Sequence, residues 1–257
     1  MEESDLKTVA AVERALSVLD AFREGERFLS LAELSDRTGL YKSTILRLIQ
    51  TLMGAGYLAQ DQTGKYFIGP AVFRLSRFYQ AAVTPPGLVI PVLQSLVEAS
   101  SESAGFQVRA GEKRMCLYRV DSPQRLRDNI SPGDLLPLDR GAGGRIIMAF
   151  GGRQDPRYES IRKRLVVCTA GETAEGMAGV AAPVFGSEGF IGALTISGPE
   201  FRFDKAAVAK FEALLLKAAR DLTERLGGDP NVFGGRRPPA PRARPQASGK
   251  SKSQDAA

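Results

Sequence analysis

The sequence predicts an α+β protein made of two different units, and three observations predict it. Apolar residues recur at helical spacing from Thr8 to about Gly54, short alternating runs come next, and a Pro-Pro-Gly step at residues 85–87 precedes a helix, strands and helix succession. The length, 257 residues, is enough for two cores of ordinary size. We divide the chain into residues 1–69, a linker helix and hinge at 70–86, a second domain at 87–228 and a tail at 229–257.

In order, Thr8 to Phe22 places Val9, Val12, Leu16, Leu19 and Phe22 on one helical face. Ser30 and Glu33 have capping-box spacing, so a helix starts there, and Gly39 stops it by accepting φ > 0. A third helix from about Lys42 buries Ile45, Leu48, Ile49 and Leu52 and turns Ser43, Arg47 and Gln50 to the opposite side. Taken alone, Ser30 to Gln50 fits a surface helix with a solvated face as well as a DNA reader. The residues after Gln50 decide between them. Gly54 and Gly56 end the helix, and Tyr57 to Gln60 and Lys65 to Ile68 flank Asp61-Gln62-Thr63-Gly64 as a hairpin. Three helices and a hairpin describe a winged helix-turn-helix, whose third helix enters the major groove while Lys65 in the wing meets phosphate.

Charge supports that reading by its placement. The net charge is +6, yet the first 80 residues carry 10 basic and 10 acidic groups. Within them, Lys42, Arg47, Lys65, Arg74 and Arg77 face only Asp61 between residues 41 and 77. Positive charge gathered around one motif is the footprint of a phosphate-backbone partner. Most of the remaining excess lies in the Pro-, Arg- and Ser-rich tail, expected to be disordered.

Gly69-Pro70 restarts a helix with Val72, Leu75, Phe78 and Tyr79 on a stripe, which fits either a linker and dimer contact or a helix that only packs on the first one. Beyond the boundary, Val89 to Ala104 reads as a helix, Phe106 to Ala110 and Met115 to Val120 as strands, and Gly141-Ala142-Gly143-Gly144 as a glycine-rich turn opening onto a short helix. Such a turn can hold a small anion on its backbone amides. Gly176 to Phe185 and Phe190 to Ser197 are strands joined by a four-residue turn, with Thr195 and Ser197 on one face. Ala206 to Leu226 is a long amphipathic helix.

Exclusions are equally informative. The chain has no histidine, which removes the commonest general base and metal ligand. Cys116 and Cys168 form no CxxC pair and read as packed, reduced thiols. No metal or cofactor is expected. Apolar runs fall short of the about 18 residues a membrane span needs, and MEESDLKTV lacks a signal pattern. The expected location is the cytoplasm, with no membrane partner. An enzyme or ligand-binding module with Glu172 or Cys168 as its chemistry is the alternative of a different class.

Leu31-Ala32-Glu33-Leu34, Gly39-Leu40-Tyr41-Lys42-Ser43-Thr44, Arg47 to Leu52, Gly56-Tyr57-Leu58 and Lys65-Tyr66 resemble the isocitrate lyase regulator (IclR) family. So do Gly144-Arg145, Ala181 to Phe185 and Ser197-Gly198-Pro199 in the second domain. The resemblance implies a winged helix-turn-helix joined by a linker helix to a GAF-like α/β effector domain. It also implies a homodimer or homotetramer and double-stranded operator DNA controlled by a small organic or aromatic acid. Carried over by position, Lys42, Ser43, Thr44 and Arg47 are DNA contacts, with Gln50 and Lys65 added from the helix face and wing. Ala142, Gly143, Gly171, Glu172, Thr195 and Ser197 are the implied effector lining, with the two hydroxyls as donors for a carboxylate. Tyr41 and Arg145 stand where the family often has proline and lysine, and the stretch from Phe150 to Ile161 is shorter than usual. That short stretch supports a variant reading in which the second domain has lost its effector and serves oligomerisation or protein contacts.

Overall fold

The computed structural model describes residues 8–23, 25–151 and 155–234. The chain falls into two compact units, Met1–Ala82 and Val83–Ala257. In the first, α1 (Ala10–Asp20), α2 (Leu31–Thr38) and α3 (Lys42–Gly54) are succeeded by a hairpin of β1 (Leu58–Gln60) and β2 (Tyr66–Ile68), then α4 (Pro70–Val83). The Ser30 hydroxyl accepts from the Glu33 amide while the Glu33 carboxylate accepts from the Ser30 amide, and Gly39 closes α2 at φ 68°. Val18, Leu29, Leu34, Ile45, Ile49 and Leu58 form the core.

Two features of this unit differ from expectation. Val9, Val12 and Leu16 are 62%, 55% and 53% exposed, because the side of α1 that packs on the core is the one carrying Ala15, Val18 and Leu19. Leu29 also exchanges two backbone hydrogen bonds with Tyr66, at 2.9 and 2.8 Å, adding a third rung to the wing that no run of β-forming residues announces. Gly69 allows the wing to turn into α4, since a Cβ there would lie 2.2 Å from the Gly56 carbonyl.

The second unit is one antiparallel six-stranded sheet in the order β5-β4-β3-β8-β7-β6. Its strands are β3 (Ser103–Ala110), β4 (Lys113–Val120), β5 (Leu135–Pro137), β6 (Val167–Ala170), β7 (Met177–Gly186) and β8 (Gly189–Pro199). Helices α5 (Pro86–Ser100) and α8 (Lys205–Arg225) share a core with one face through Leu93, Phe106, Val180, Leu194, Phe211 and Leu215. On the other face α6 (Gly141–Phe150) and α7 (Glu159–Arg164) bring Ile146, Ile147 and Ile161 against Ala181 and Ala193. Side chains alternate between the two faces along β7 and β8, as the period of a strand requires.

Four expectations are corrected here. The helix expected to run to Ala104 ends at Ser100, with Ser101 left-handed at φ 61°, and residues 103 and 104 already pair in the sheet. Polar Ser103 can be fully buried because its hydroxyl accepts from the Ser122 amide at 3.0 Å. The residues read as a glycine-rich turn are the first turn of α6 itself. They must be small, because a Cβ at Gly143 or Gly144 would approach Gln107 and the Leu138 carbonyl at 2.1 and 2.4 Å. The β7–β8 hairpin pairs Gly186 with Gly189, so its turn has two central residues rather than four. Finally, composition predicts a disordered tail from residue 229, but Pro230–Gly234 forms a 3-10 helix that buries Val232 and sets Phe233 against Phe185. The basic remainder of the tail lies outside the described residues, as do positions 152–154 of the short stretch after Phe150. Among the described residues no helix is long and apolar enough to cross a membrane.

Candidate functional sites

Helix α3 separates its residues by side. Ile45, Ile49 and Leu52 are buried, whereas Lys42, Ser43, Arg47 and Gln50 are exposed and Thr44 is half-buried. No acidic residue lies between positions 41 and 54, so nothing on this helix opposes a phosphate. The wing is fixed by Asp61, whose carboxylate accepts from the amides of Thr63 and Lys65 at 2.9 Å each and from the Thr63 hydroxyl at 2.8 Å. These bonds, the Thr63 hydroxyl first among them, hold the Asp61 carboxyl below its usual range. With the turn held by Asp61, the Lys65 side chain stays exposed. An exposed helix of hydroxyl, amide and guanidinium groups beside a rigid basic turn can donate to phosphates and to base edges.

The second site is a cavity of about 420 Å³ over the α6 face of the sheet. It brings together five of the six expected residues: Ala142 and Gly143 from α6, Glu172 from the β6–β7 connection, and Thr195 and Ser197 from β8. Gly171 stands apart. It takes φ 69° in the connection, where its amide donates to the Met177 carbonyl at 2.8 Å.

The two hydroxyls also bond within the protein. Thr195 donates to the Gly105 carbonyl at 3.2 Å, and Ser197 donates to the Asp128 carboxylate at 2.7 Å, so both protons are already given to protein acceptors. Glu172 pairs with Arg145 at 2.6 Å and accepts from the Gly141 amide at 2.9 Å, which ties the β6–β7 connection to the start of α6. The Arg145 guanidinium holds the Glu172 carboxyl below its usual range. Neither candidate for chemistry is activated, since burial pushes the Cys168 thiol up and Glu172 is held as a paired carboxylate.

The lining residues that sequence reasoning missed include Gln107 on β3, Arg114 on β4 and a wall formed by residues 127–130. Gln107 and Arg114 are only 6% and 2% exposed. Their sequence signal is faint: each is a polar residue within an alternating strand, where a solvent-facing position is the ordinary explanation. The wall is fixed by Asp128, which pairs with Arg119.

Comparison with known proteins matches both units. The IclR helix-turn-helix domain model covers residues 11–62, and the model for the bacterial transcriptional regulator IclR C-terminal domain covers residues 156–224. The HTH-type transcriptional regulator BhcR of Paracoccus denitrificans is 27% identical over 245 residues, spanning 84% of this chain and 86% of that protein. The IclR transcriptional regulator of Alicyclobacillus acidocaldarius shares the fold with a TM-score of 0.71 at 20% identity, covering 86% of this chain and 100% of its own. An IclR homolog from Microbacterium hydrocarbonoxydans, crystallised with 4-hydroxybenzoate, aligns with a TM-score of 0.66 at 16% identity over 84% of this chain and 100% of its own. The chain belongs to the IclR family of DNA-binding bacterial transcriptional regulators.

Proposed function

We propose that this regulator reads operator DNA with Lys42, Ser43, Thr44, Arg47 and Gln50, steadies the wing on phosphate with Lys65, and responds to a small acid held in the cavity of the second unit. The observation that carries the first part is the arrangement of α3, whose Ile45, Ile49 and Leu52 are buried while its donors, beside the exposed Leu46 and Met53, face outward. The cavity supports the second part, as does the 4-hydroxybenzoate found with the Microbacterium homolog. Its volume suits a small ligand. A cavity of this size speaks against the variant in which the effector has been lost.

The reading includes a homodimer or a larger homo-oligomer. Phe73 and Phe78 on α4 are 70% and 65% exposed, and Val9, Val12 and Leu16, at the start of α1 and along it, add to them. Apolar side chains exposed in such numbers fit an interface between copies better than a solvated surface.

Selection of random duplexes on the purified protein tests this function. The expected product is a palindromic site whose half-sites lie about 10 base pairs apart, or a multiple of that, with affinity falling steeply as salt rises. Addition of 4-hydroxybenzoate or a related small acid is expected to change that affinity. Equal binding to selected and scrambled duplex would overturn the DNA reading.

A further inference from the structure

We propose that Arg114, with Gln107 beside it, is the anchor for the carboxylate of a small acid in this cavity, an assignment that rests on the effector reading above. Arg114 lines the cavity and is 2% exposed. Its Nη1 donates to the carbonyls of Pro137 and Arg140, its Nη2 reaches only the Thr173 hydroxyl at 3.4 Å, and its Nε has no partner. Among the described residues no carboxylate forms an ion pair with it. The other deeply buried guanidinium here, Arg119, is paired with Asp128. Asp139 and Glu172 lie near enough to favour its charge without bonding to it, and the edge formed by Nε and Nη2 is the fork that a carboxylate takes bidentately. Burial lowers Arg114 to about 10, which leaves it charged at neutral pH.

Gln107 points to the same place. It lines the cavity at 6% exposure, its amide makes no hydrogen bond to the described residues, and its Oε1 is buried without a partner. Such an amide offers both a donor and an acceptor to a ligand. It packs over the first turn of α6, where Arg140 supplies no side-chain cap and the helix N-terminus favours an anion. Glu172 is the acid at that end of the helix, and Arg145 neutralises it. The rest of the lining mixes apolar Leu136 and Met177 with polar Arg127, Asn129, Thr169 and Thr173. The ligand class these groups fit is a monocarboxylate on a single ring or a short carbon chain.

Calorimetry and thermal shift on the full chain would compare benzoate and 4-hydroxybenzoate with benzamide and 4-hydroxybenzamide, which keep the shape and lose the charge. The expected result is that the acids bind about tenfold or more tightly than their amides. Arg114→Lys is expected to reduce that preference severalfold, because a point charge replaces the bidentate fork. Gln107→Leu is expected to weaken acid binding without unfolding the protein, since it removes a group that has no partner. Should Arg114→Lys loosen the loop at Pro137, the wild-type comparison of acid with amide still stands, because it needs no variant. Amides that bind as well as acids overturn the proposal and leave the cavity reading standing. An acid preference unchanged in folded Arg114→Lys also overturns it. Binding of neither class at millimolar concentration defeats the cavity reading, and this proposal with it.

Discussion

Ser197 on β8 donates its hydroxyl proton to Asp128, 2.7 Å away in the segment that walls the cavity. The same carboxylate pairs with Arg119, and the side chains of Arg119 and Asp128 are 4% and 8% exposed. A residue positioned to meet a ligand is therefore part of the frame that holds the cavity wall. Removing Asp128 leaves Arg119 with the more exposed Asp121 as its carboxylate partner. Asp128→Ala is accordingly expected to destabilise the second unit by about 3 kcal/mol, as loss of one partner of a buried pair does. Ser197→Ala removes one hydrogen bond and is expected to cost about 1 kcal/mol. Urea unfolding of both variants checks the order, and equal losses would mean that Arg119 does not depend on Asp128.

The two kinds of DNA contact are separable by salt. Lys65 sits on the wing with its side chain exposed. Lys65→Ala is expected to weaken binding to every duplex alike and to lower the slope of log affinity against log salt by about 0.9. Arg47 is exposed in the middle of α3. Arg47→Ala is expected to reduce the preference for the selected site over a scrambled one by about 1–3 kcal/mol. Fluorescence anisotropy at several salt concentrations measures both effects. If Lys65→Ala altered specificity and Arg47→Ala did not, the two roles would have to be exchanged.

Glu172 should leave a mark on acid stability. Its carboxyl is held low chiefly by Arg145, then by the Gly141 amide. A carboxylate whose folded pKa is depressed stabilises the fold above its unfolded value, here near 4.5, and that contribution is lost as pH falls through the lower folded value. Glu172→Gln is therefore expected to lower the melting temperature at pH 7, with the difference from wild type closing below pH 4.5. A gap that stayed constant down to pH 3 would show that the pairing contributes nothing through charge.

What the sequence disclosed and what it hid divide along the reach of each interaction. The Ser30 and Glu33 cap, the Gly39 stop and the wing turn depend on contacts three to five residues apart, and all of them are legible. The sheet of the second unit is legible as alternating runs. Arg114 is not, because the atoms that surround it come from residues 23 to 59 positions away. The commitments of Thr195 and Ser197 are hidden for the same reason, being made to residues 90 and 69 positions distant. Val9, Val12 and Leu16 show the opposite failure: an apolar period at helical spacing on a side of the helix that has no core beneath it. Periodicity finds a face, but only the packed fold says what covers it.

The two cysteines give a test of the second unit that needs no ligand. Cys116 lies within β4, is fully buried, and donates its thiol to the Tyr118 carbonyl at 3.6 Å. Burial pushes this thiol up to about 12, so its thiolate fraction at pH 8 is on the order of one in ten thousand. Cys168 on β6 is half-buried and is also pushed up by burial, but its sulfur is less enclosed. Only the thiolate attacks iodoacetamide, displacing iodide, and the reagent needs access to it. Native protein at pH 8 is therefore expected to take label at Cys168 well before Cys116, and both should react once urea opens the sheet. Peptide mass spectrometry reads the two sites separately. Labelling of Cys116 as fast as Cys168 in the native state would mean that β4 is not held between β3 and β5, and the wall carrying Arg114 would be lost with it.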